Sequence, residues 1–351
     1  MAVCARPCWP YRHGEEAQVA QAAEAPRAPL TSISVPGSAS TRVVQVVAAV
    51  IQREDGSFLL AQRPPGKVYE GYWEFPGGKV EPGESAPEAL ARELHEELGI
   101  VVQQAYPWIV RRHAYEHATV DLNFFRVTRF EGEPHGRENQ AFVWQRIGAL
   151  TVGPMLPANG PILAALALPA VYGITNAAEG GCGLALRQIR AALAQGLRLV
   201  QVREPGMSAV DLARFASEVV ALAHSHGARV LVNSDASLAR RCGANGVHLK
   251  ASELMATQKR PEFELVGASC HDIAELRKAV ALSVDFAVLG PVAPTRSHPG
   301  ATILGFDAFA GIIRDSPIPV YALGGMSLGD LDRAWRCGAH GIAMQRGAWG
   351  G

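Results

Sequence analysis

Residues 77–100 read GGKVEPGESAPEALARELHEELGI, and the rest of the chain is best understood from this stretch outward. Ala86, Leu90, Leu94 and Leu98 recur at every fourth position, which predicts a helix with one apolar stripe from about Ala86 to Leu98. Gly99 supplies the residue type that closes a helix in the left-handed conformation. Glu93, Glu96 and Glu97 stand at i, i+3 and i+4, so they share one face and span an arc of roughly 100°. That arc borders the apolar stripe. The acids therefore line a cleft instead of facing bulk water.

Carboxylates at this spacing repel by roughly a few tenths of a kcal/mol per pair on an exposed helix, and by more beside an apolar seam. A hard divalent cation offsets the repulsion. Mg²⁺ prefers carboxylate oxygens and keeps waters and substrate phosphates as its other ligands. Arg92 can neutralise part of the charge through a bidentate pair. Three glutamates alone also fit a solvated acidic face, but the wider spacing says more. Gly78, Glu84, Arg92, Glu93, Glu96, Glu97 and Gly99 satisfy G-x5-E-x7-R-E-U-x-E-E-x-G-U, with Leu94 and Ile100 at the bulky apolar positions.

The stretch resembles the Nudix box, and residues from about 46 to 166 resemble the MutT-type 8-oxo-dGTP pyrophosphohydrolases. The resemblance implies an α+β Nudix fold, a mixed sheet with helices. It implies a metal held by Glu93, Glu96, Glu97 and the Gly77 carbonyl, with Arg92 orienting the glutamates and Glu84 in support. Mg²⁺ is the expected cofactor, with Mn²⁺ an alternative. Catalysis falls to Glu93, Glu97 and Arg92, with Glu93 taken as the base and Glu97 chiefly as a ligand. Glu138, in the segment EGEPHGRE, takes the role of a further metal carboxylate. Asn159, in LPANGP, takes that of the amide that reads the oxidised purine; its plain alternative is a turn asparagine. Arg63 falls where the nucleotide binds, and Phe75 lies in the segment lining the base pocket, where a core role is equally natural. One departure stands out. His117-Ala118 replaces the Asp-Arg pair that flanks the base in MutT proteins.

Local signals fill in this first unit. The run Val43–Ile51 is rich in β-branched residues, Asp55-Gly56 is a hairpin turn signal, and residues 57–62 return as the partner strand. Further strands are expected near 105–114, 118–128 and 141–146. Residues 1–42, rich in Ala, Pro, Ser and Glu without an apolar period, read as a disordered tail.

The second unit alternates short apolar runs with helical patterns. Strands are expected at 171–175, 199–203, 229–233, 246–248, 264–269, 286–290, 319–323 and 341–344. Eight βα repeats predict a parallel (β/α)₈ TIM barrel, an α/β fold. Accordingly, 1–42 is the tail, 43–168 the first domain and 169–351 the second. The short apolar linker LALPA, residues 166–170, predicts that the domains touch.

This second unit resembles thiamine-phosphate synthase and its TenI relatives, on QVRE (201–204), Asn233, GVHL (246–249), GASCH (267–271), LGPVAPT (289–295) and ALGGM (322–326). The ligand site carried over comprises Gln201, Arg203, Asn233, Ser269, His271, Thr295, Gly324 and Gly325. The glycine pair can cradle a phosphate or simply make a tight turn. His271 matches a tautomerase histidine, with structural and orienting roles open to it. The departures gather at the pyrophosphate and metal end. Pro205 and His298 stand for lysines, and Ser234 and Glu253 for aspartates, with Asp235 one place on from the first. A weak synthase, a tautomerase and a non-catalytic binder of thiazole or thiamine phosphate all fit.

Bulk properties exclude other classes. Lys plus Arg and Asp plus Glu balance at 33 each, so no basic surface is expected to hold a nucleic-acid polymer. No apolar run approaches the ~18 residues of a membrane span, and no signal-peptide order opens the chain. Scattered cysteines without a C-x-x-C pair fit a reducing cytoplasm. The leading expectation is hydrolysis of 8-oxo-dGTP to 8-oxo-dGMP and diphosphate, protecting the nucleotide pool and avoiding mutation. The alternatives make thiamine metabolism the main business, or make the barrel a sensor of a phosphorylated metabolite.

Overall fold

The computed structural model describes residues 43–115, 119–137, 140–295, 300 and 302–349. The expected disordered tail, Glu138, His298 and the His117-Ala118 pair lie outside these residues.

In the first half, β1 (Val44–Ile51) feeds two cores through the two-residue period of a strand. Val47, Ala49 and Ile51 face one core, and Ala48 and Val50 the other. The strands β2 (Phe58–Gln62) and β3 (Trp73–Glu74) come next, then helix α1 (Ala86–Leu98), β4 (Val101–Ala114), β5 (Thr119–Glu131), β6 (Phe142–Gln145) and helix α2 (Gly160–Leu166). β1 runs parallel to β5, which pairs antiparallel with β4, giving a mixed sheet; β3, β2 and β6 form a separate antiparallel sheet. The Asp55-Gly56 turn forms, with the Asp55 carboxylate accepting from the Ser57 N–H and hydroxyl. The expected hairpin is corrected, however. Around the turn the Arg53 N–H donates to Ser57 O and Gln52 bridges Phe58, but β1 and β2 then diverge into different sheets, because the core between the sheets demands apolar residues from both.

α1 has the expected bounds. The Glu88 carboxylate accepts from the Ser85 N–H and hydroxyl at its start, and Gly99 ends it at φ 70°. Its Ala89, Leu90, Leu94 and Leu98 are buried on β1, while Ile162 and Ala165 of α2 seal the opposite face against Trp108 and Phe124.

The second half is a closed parallel barrel of β7 (Val171–Ile174), β8 (Leu199–Val202), β9 (Arg229–Asn233), β10 (Gly246–Leu249), β11 (Leu265–Cys270), β12 (Phe286–Leu289), β13 (Val320–Leu323) and β14 (Gly341–Met344). Tyr172, Phe286 and Tyr321 fill its interior, with ring centroids 5.3–5.9 Å apart. The Val-rich alternate positions pack outward against the helices.

Among the described residues two imidazoles are fully buried. Inside the barrel, burial first and the charge of Arg203 second push the pKa of His248 down to about 3. Burial first and Arg126 second hold that of His340 well below its ordinary value. Both are neutral when folded, whereas the unfolded chain protonates them below about pH 6.5. The unfolded state then binds more protons, so stability is present above that pH and is lost as pH falls, by about 1.4 kcal/mol per unit for each histidine. The urea midpoint is expected to drop between pH 7.5 and 5.5; equal midpoints would show that these rings stay protonated in the fold.

Candidate functional site

Helix α1 and the loop after β3 build the first site. Glu93 is only 16% exposed at its side chain, against 55% for Glu96. Arg92 gathers the acids: its guanidinium donates to Glu84 at 2.7 Å, Glu93 at 3.0 Å and Glu96 at 3.1 Å, and to the Lys79 carbonyl at 3.0 Å. The hydrogen bond from Arg92 is the main cause of a lowered pKa at Glu84, and the Glu84 bond in turn raises that of Arg92. Glu97 accepts the Gly77 N–H at 3.1 Å. A Cβ at Gly78 would overlap the Glu93 carboxylate, so only glycine lets that side chain lie on the loop. Gly77, at φ 147°, passes so close to β1 that a Cβ would overlap the Val47 carbonyl. Glu93, Glu97, Arg92 and Gly77 thus meet on one loop–helix surface.

The proposed nucleotide contacts lie elsewhere in the same half. Arg63 makes a two-pronged pair with Glu74 at 2.7 and 2.8 Å and donates through Nε to the Val68 carbonyl. Burial, the larger effect, raises the Glu74 pKa, and Arg63 opposes it. Tyr69, Tyr72 and Tyr115 cluster nearby, with Tyr69 at a rare φ of 61°. Phe75 is 3% exposed and packs on Phe58 and Phe124, so it occupies the core. Asn159 is 4% exposed, with its amide nitrogen 3.4 Å from the Trp73 carbonyl at the start of α2.

At the barrel mouth, Gln201 and Ser269 belong to one polar chain. Gln201 donates to the Tyr172 hydroxyl at 3.1 Å, that hydroxyl lies 3.3 Å from His248 Nδ1, and His248 Nε2 lies 2.9 Å from Ser269 Oγ. With His248 neutral, Nδ1 accepts from Tyr172 and Nε2 donates to Ser269. Asn233 donates to Ser234, and the Arg203 N–H donates to Thr175. His271 stands apart, exposed on the rim with Nδ1 2.9 Å from Glu275 of the following helix. Gly324 and Gly325 have φ 106° and 63°, and a Cβ on either would press on the loop at Pro291–Pro294, which Thr295 follows. Asp235 caps the helix Ala236–Arg241 by accepting the Leu238 N–H, and Glu253 pairs with Lys250.

Residues 47–165 match the NUDIX domain family and residues 171–348 the thiamine monophosphate synthase family. An 8-oxo-dGTP diphosphatase of Haemophilus influenzae is 40% identical over 124 residues, 35% of this chain and 90% of that protein. A CTP pyrophosphohydrolase of Escherichia coli is 41% identical over 124 residues, 35% of this chain and 91% of that protein. A thiamine-phosphate synthase of Chromobacterium violaceum is 37% identical over 158 residues, 44% of this chain and 76% of that protein. The chain belongs to both families, one in each half. Its Nudix half falls among hydrolases of phosphoric anhydrides.

Glu74, the partner of Arg63, carries no signal of its own in the sequence, although it adjoins the Phe75-Pro76-Gly77-Gly78 segment. In the synthase-like half nothing in the sequence marks Tyr172 as the partner of Gln201, since only barrel closure brings β7, β8 and β10 together. The two glycines of the Nudix loop make opposite predictions. Gly77→Ala strains the backbone and is expected to lower stability by about 1–3 kcal/mol. Gly78→Ala meets only the far end of Glu93, so the fold should persist while hydrolytic turnover falls about 100-fold. Thermal unfolding and diphosphate release measured on both variants check this; full turnover in Gly78→Ala would contradict the placement of Glu93.

Proposed function

We propose that the Nudix half, residues 43–168, hydrolyses a nucleoside triphosphate with Mg²⁺, or Mn²⁺ in its place, to a nucleoside monophosphate and diphosphate. One observation carries the reading: Glu93 and Glu97 share a helical face and both rest on the Gly77-Gly78 loop, with Arg92 tying Glu93 to Glu84 and Glu96. The donor set is all oxygen, which suits a hard cation. Among the described residues no three acids or imidazoles close into a cage. A hard cation such as Mg²⁺ keeps waters and substrate phosphates among its ligands. When bound, such an ion polarises the phosphoryl oxygens and lowers the pKa of a water.

The chain's own groups do the rest. Glu93, Glu96, Glu97 and the Gly77 carbonyl would hold the cation, with Glu138 as a further ligand. Glu93 accepts the proton of the attacking water. Arg92 keeps the carboxylates in register. Arg63 faces the nucleotide, Phe75 backs the pocket wall, and the Asn159 amide offers one donor and one acceptor to an oxidised purine. The preferred substrate is 8-oxo-dGTP, giving 8-oxo-dGMP and diphosphate, a nucleotide-pool and mutation-avoidance role. A cytidine nucleotide is the second reading, favoured by the CTP pyrophosphohydrolase relative and by His117-Ala118 in place of an Asp-Arg pair.

The synthase-like half, residues 169–351, is proposed to bind a thiazole or thiamine phosphate without synthase chemistry. Asp235, the nearest substitute for the missing metal aspartate, is engaged in capping a helix, and proline at 205 offers no cation to a pyrophosphate. Gln201, Arg203, Asn233, Ser269, His271, Thr295, Gly324 and Gly325 would form its mouth. Cys182, Cys242, Cys270 and Cys337 are free thiols, in keeping with a proposed place in the cytoplasm.

Diphosphate release from 8-oxo-dGTP, dGTP, CTP and thiamine diphosphate with Mg²⁺ tests the hydrolase. Wild type should turn over 8-oxo-dGTP fastest, and Glu97→Gln should lose about 100-fold or more in kcat with its melting temperature kept. Unchanged turnover in Glu97→Gln would reject the site, and CTP as the fastest substrate would favour the second reading. For the barrel, calorimetry is expected to give binding of thiazole phosphate to the full chain with no thiamine phosphate formed on adding the pyrimidine diphosphate; turnover would restore the synthase reading.

A further inference from the structure

The four carbonyls that join the two halves are all held by the barrel. Ala167 O accepts from Arg229 of β9 at 2.5 Å, and Leu168 O lies 3.0 Å from Nε2 of His340, just before β14. Pro169 O accepts from the Tyr321 hydroxyl of β13, and Ala170 O from the Ile342 N–H of β14. A segment whose successive carbonyls are all bound by one body cannot act as a hinge. It continues without a break from α2, whose first turn follows Asn159.

His340 is also the point where the Nudix sheet grips the barrel. Arg126 of β5, 6% exposed, donates to His340 Nδ1 and to the His340 carbonyl, both at 2.8 Å. Its guanidinium lies 4.3 Å over the Trp108 ring of β4. Only the neutral tautomer serves both contacts: Nδ1 accepts from Arg126 while Nε2–H donates to Leu168 O. Around it, the Val110 N–H donates to Ser316 O, Arg111 to Pro317 O, and the Tyr106 hydroxyl to Asp332. Ser316, Pro317 and His340 precede strands, at the end opposite the mouth, and Asp332 lies on the helix before β14. Ile162 and Ala165 of α2 pack on Trp108 and Phe124 in the same layer.

We infer that Arg126 and His340 are positioning residues for the hydrolase, holding α2 so that Asn159 meets the nucleotide, and that the barrel is thereby a structural half of the nucleotide pocket. The inference rests on the proposed role of Asn159. Arg126 and His340 touch no substrate; they act through Leu168 and α2.

The test uses the full chain. His340→Phe keeps a ring between Trp108 and Tyr321 but loses both side-chain hydrogen bonds, Arg126→Met removes the grip from the Nudix side, and His340→Gln retains a donor for Leu168 O. On the best nucleotide of the substrate panel, the first two are expected to raise KM about tenfold with kcat within threefold, and His340→Gln to recover part of the loss. Asn159→Ala should raise KM alone, and adding it to His340→Phe should cost nothing more, since both act on one contact. Amide exchange over residues 160–167 should quicken in His340→Phe. An unchanged KM in either folded variant, or additive losses in the double variant, overturns the inference. If His340→Phe does not fold, Arg126→Met decides by the same readouts. Should wild type hydrolyse no nucleotide, the parent reading fails instead, and exchange over 160–167 alone judges whether the barrel holds α2.

Discussion

The arrangement of the first half depends on how four glutamates can be held within reach of one another. Left alone, Glu84, Glu93, Glu96 and Glu97 would splay toward water, because each gains by leaving the others. The Arg92 guanidinium counters this with a planar fork that meets three of them at once. A lysine offers a single point of charge and could not impose that geometry. The fourth, Glu97, is held from the other side by the Gly77 N–H. The acids are therefore pinned by a cation within the helix and by a loop without side chains. That loop stays thin because Gly77 must pass β1 and Gly78 must leave room for Glu93. Fold and chemistry converge on those two glycines.

What could be read from the amino-acid order follows from how local each signal is. Helix α1 was legible to the residue because its stripe, its acids and Gly99 all lie within a single stretch. The barrel strands were legible because each is a short β-branched run between helical patterns; β9 and β14 match the expected bounds, and β11 is displaced by one residue. The failures are non-local. The approach to α2 looked like a turn, since Pro157, Gly160 and Pro161 are weak helix formers. It is helical because Ile162 and Ala165 gain burial against Trp108 and Phe124. β4 starts earlier than expected because Val101 and Val102 pair with the end of β5, although the polar Gln103 and Gln104 follow. Arg126 gives no sign in sequence of being buried, since its partners His340 and Trp335 lie some two hundred residues away.

The core of the synthase-like half is built independently of the loops at its mouth. Its core is satisfied without a ligand: the rings of Tyr172, Phe286 and Tyr321 fill the interior, and the one imidazole among them, His248, is neutral with both ring nitrogens engaged. Pro205 is exposed and Ser234 and Glu253 are half-buried, so none of the three belongs to that core.

Fusing a barrel to a hydrolase creates a second problem, which the joint between them resolves. A flexible linker would let the domains tumble independently and expose Trp108, Tyr106 and the Arg126 side of the sheet. A docked pair gains instead by satisfying the polar groups it buries, and of those at this joint the Trp108 indole N–H is left without a hydrogen-bond partner. Here the linker carbonyls are taken by Arg229, His340, Tyr321 and Ile342, and the Arg126 charge lies against an aromatic face and a neutral imidazole. Protonating His340 would set two cations side by side and remove the acceptor that Arg126 uses, so the joint itself requires the neutral ring. The contact lies at the end of the barrel away from its mouth, so a molecule bound there has no open path to the glutamate cleft. Any influence of one half on the other must pass through packed side chains, and His340 stands on two such routes, one to Arg126 of the Nudix sheet and one to Leu168 O beyond the helix that follows Asn159.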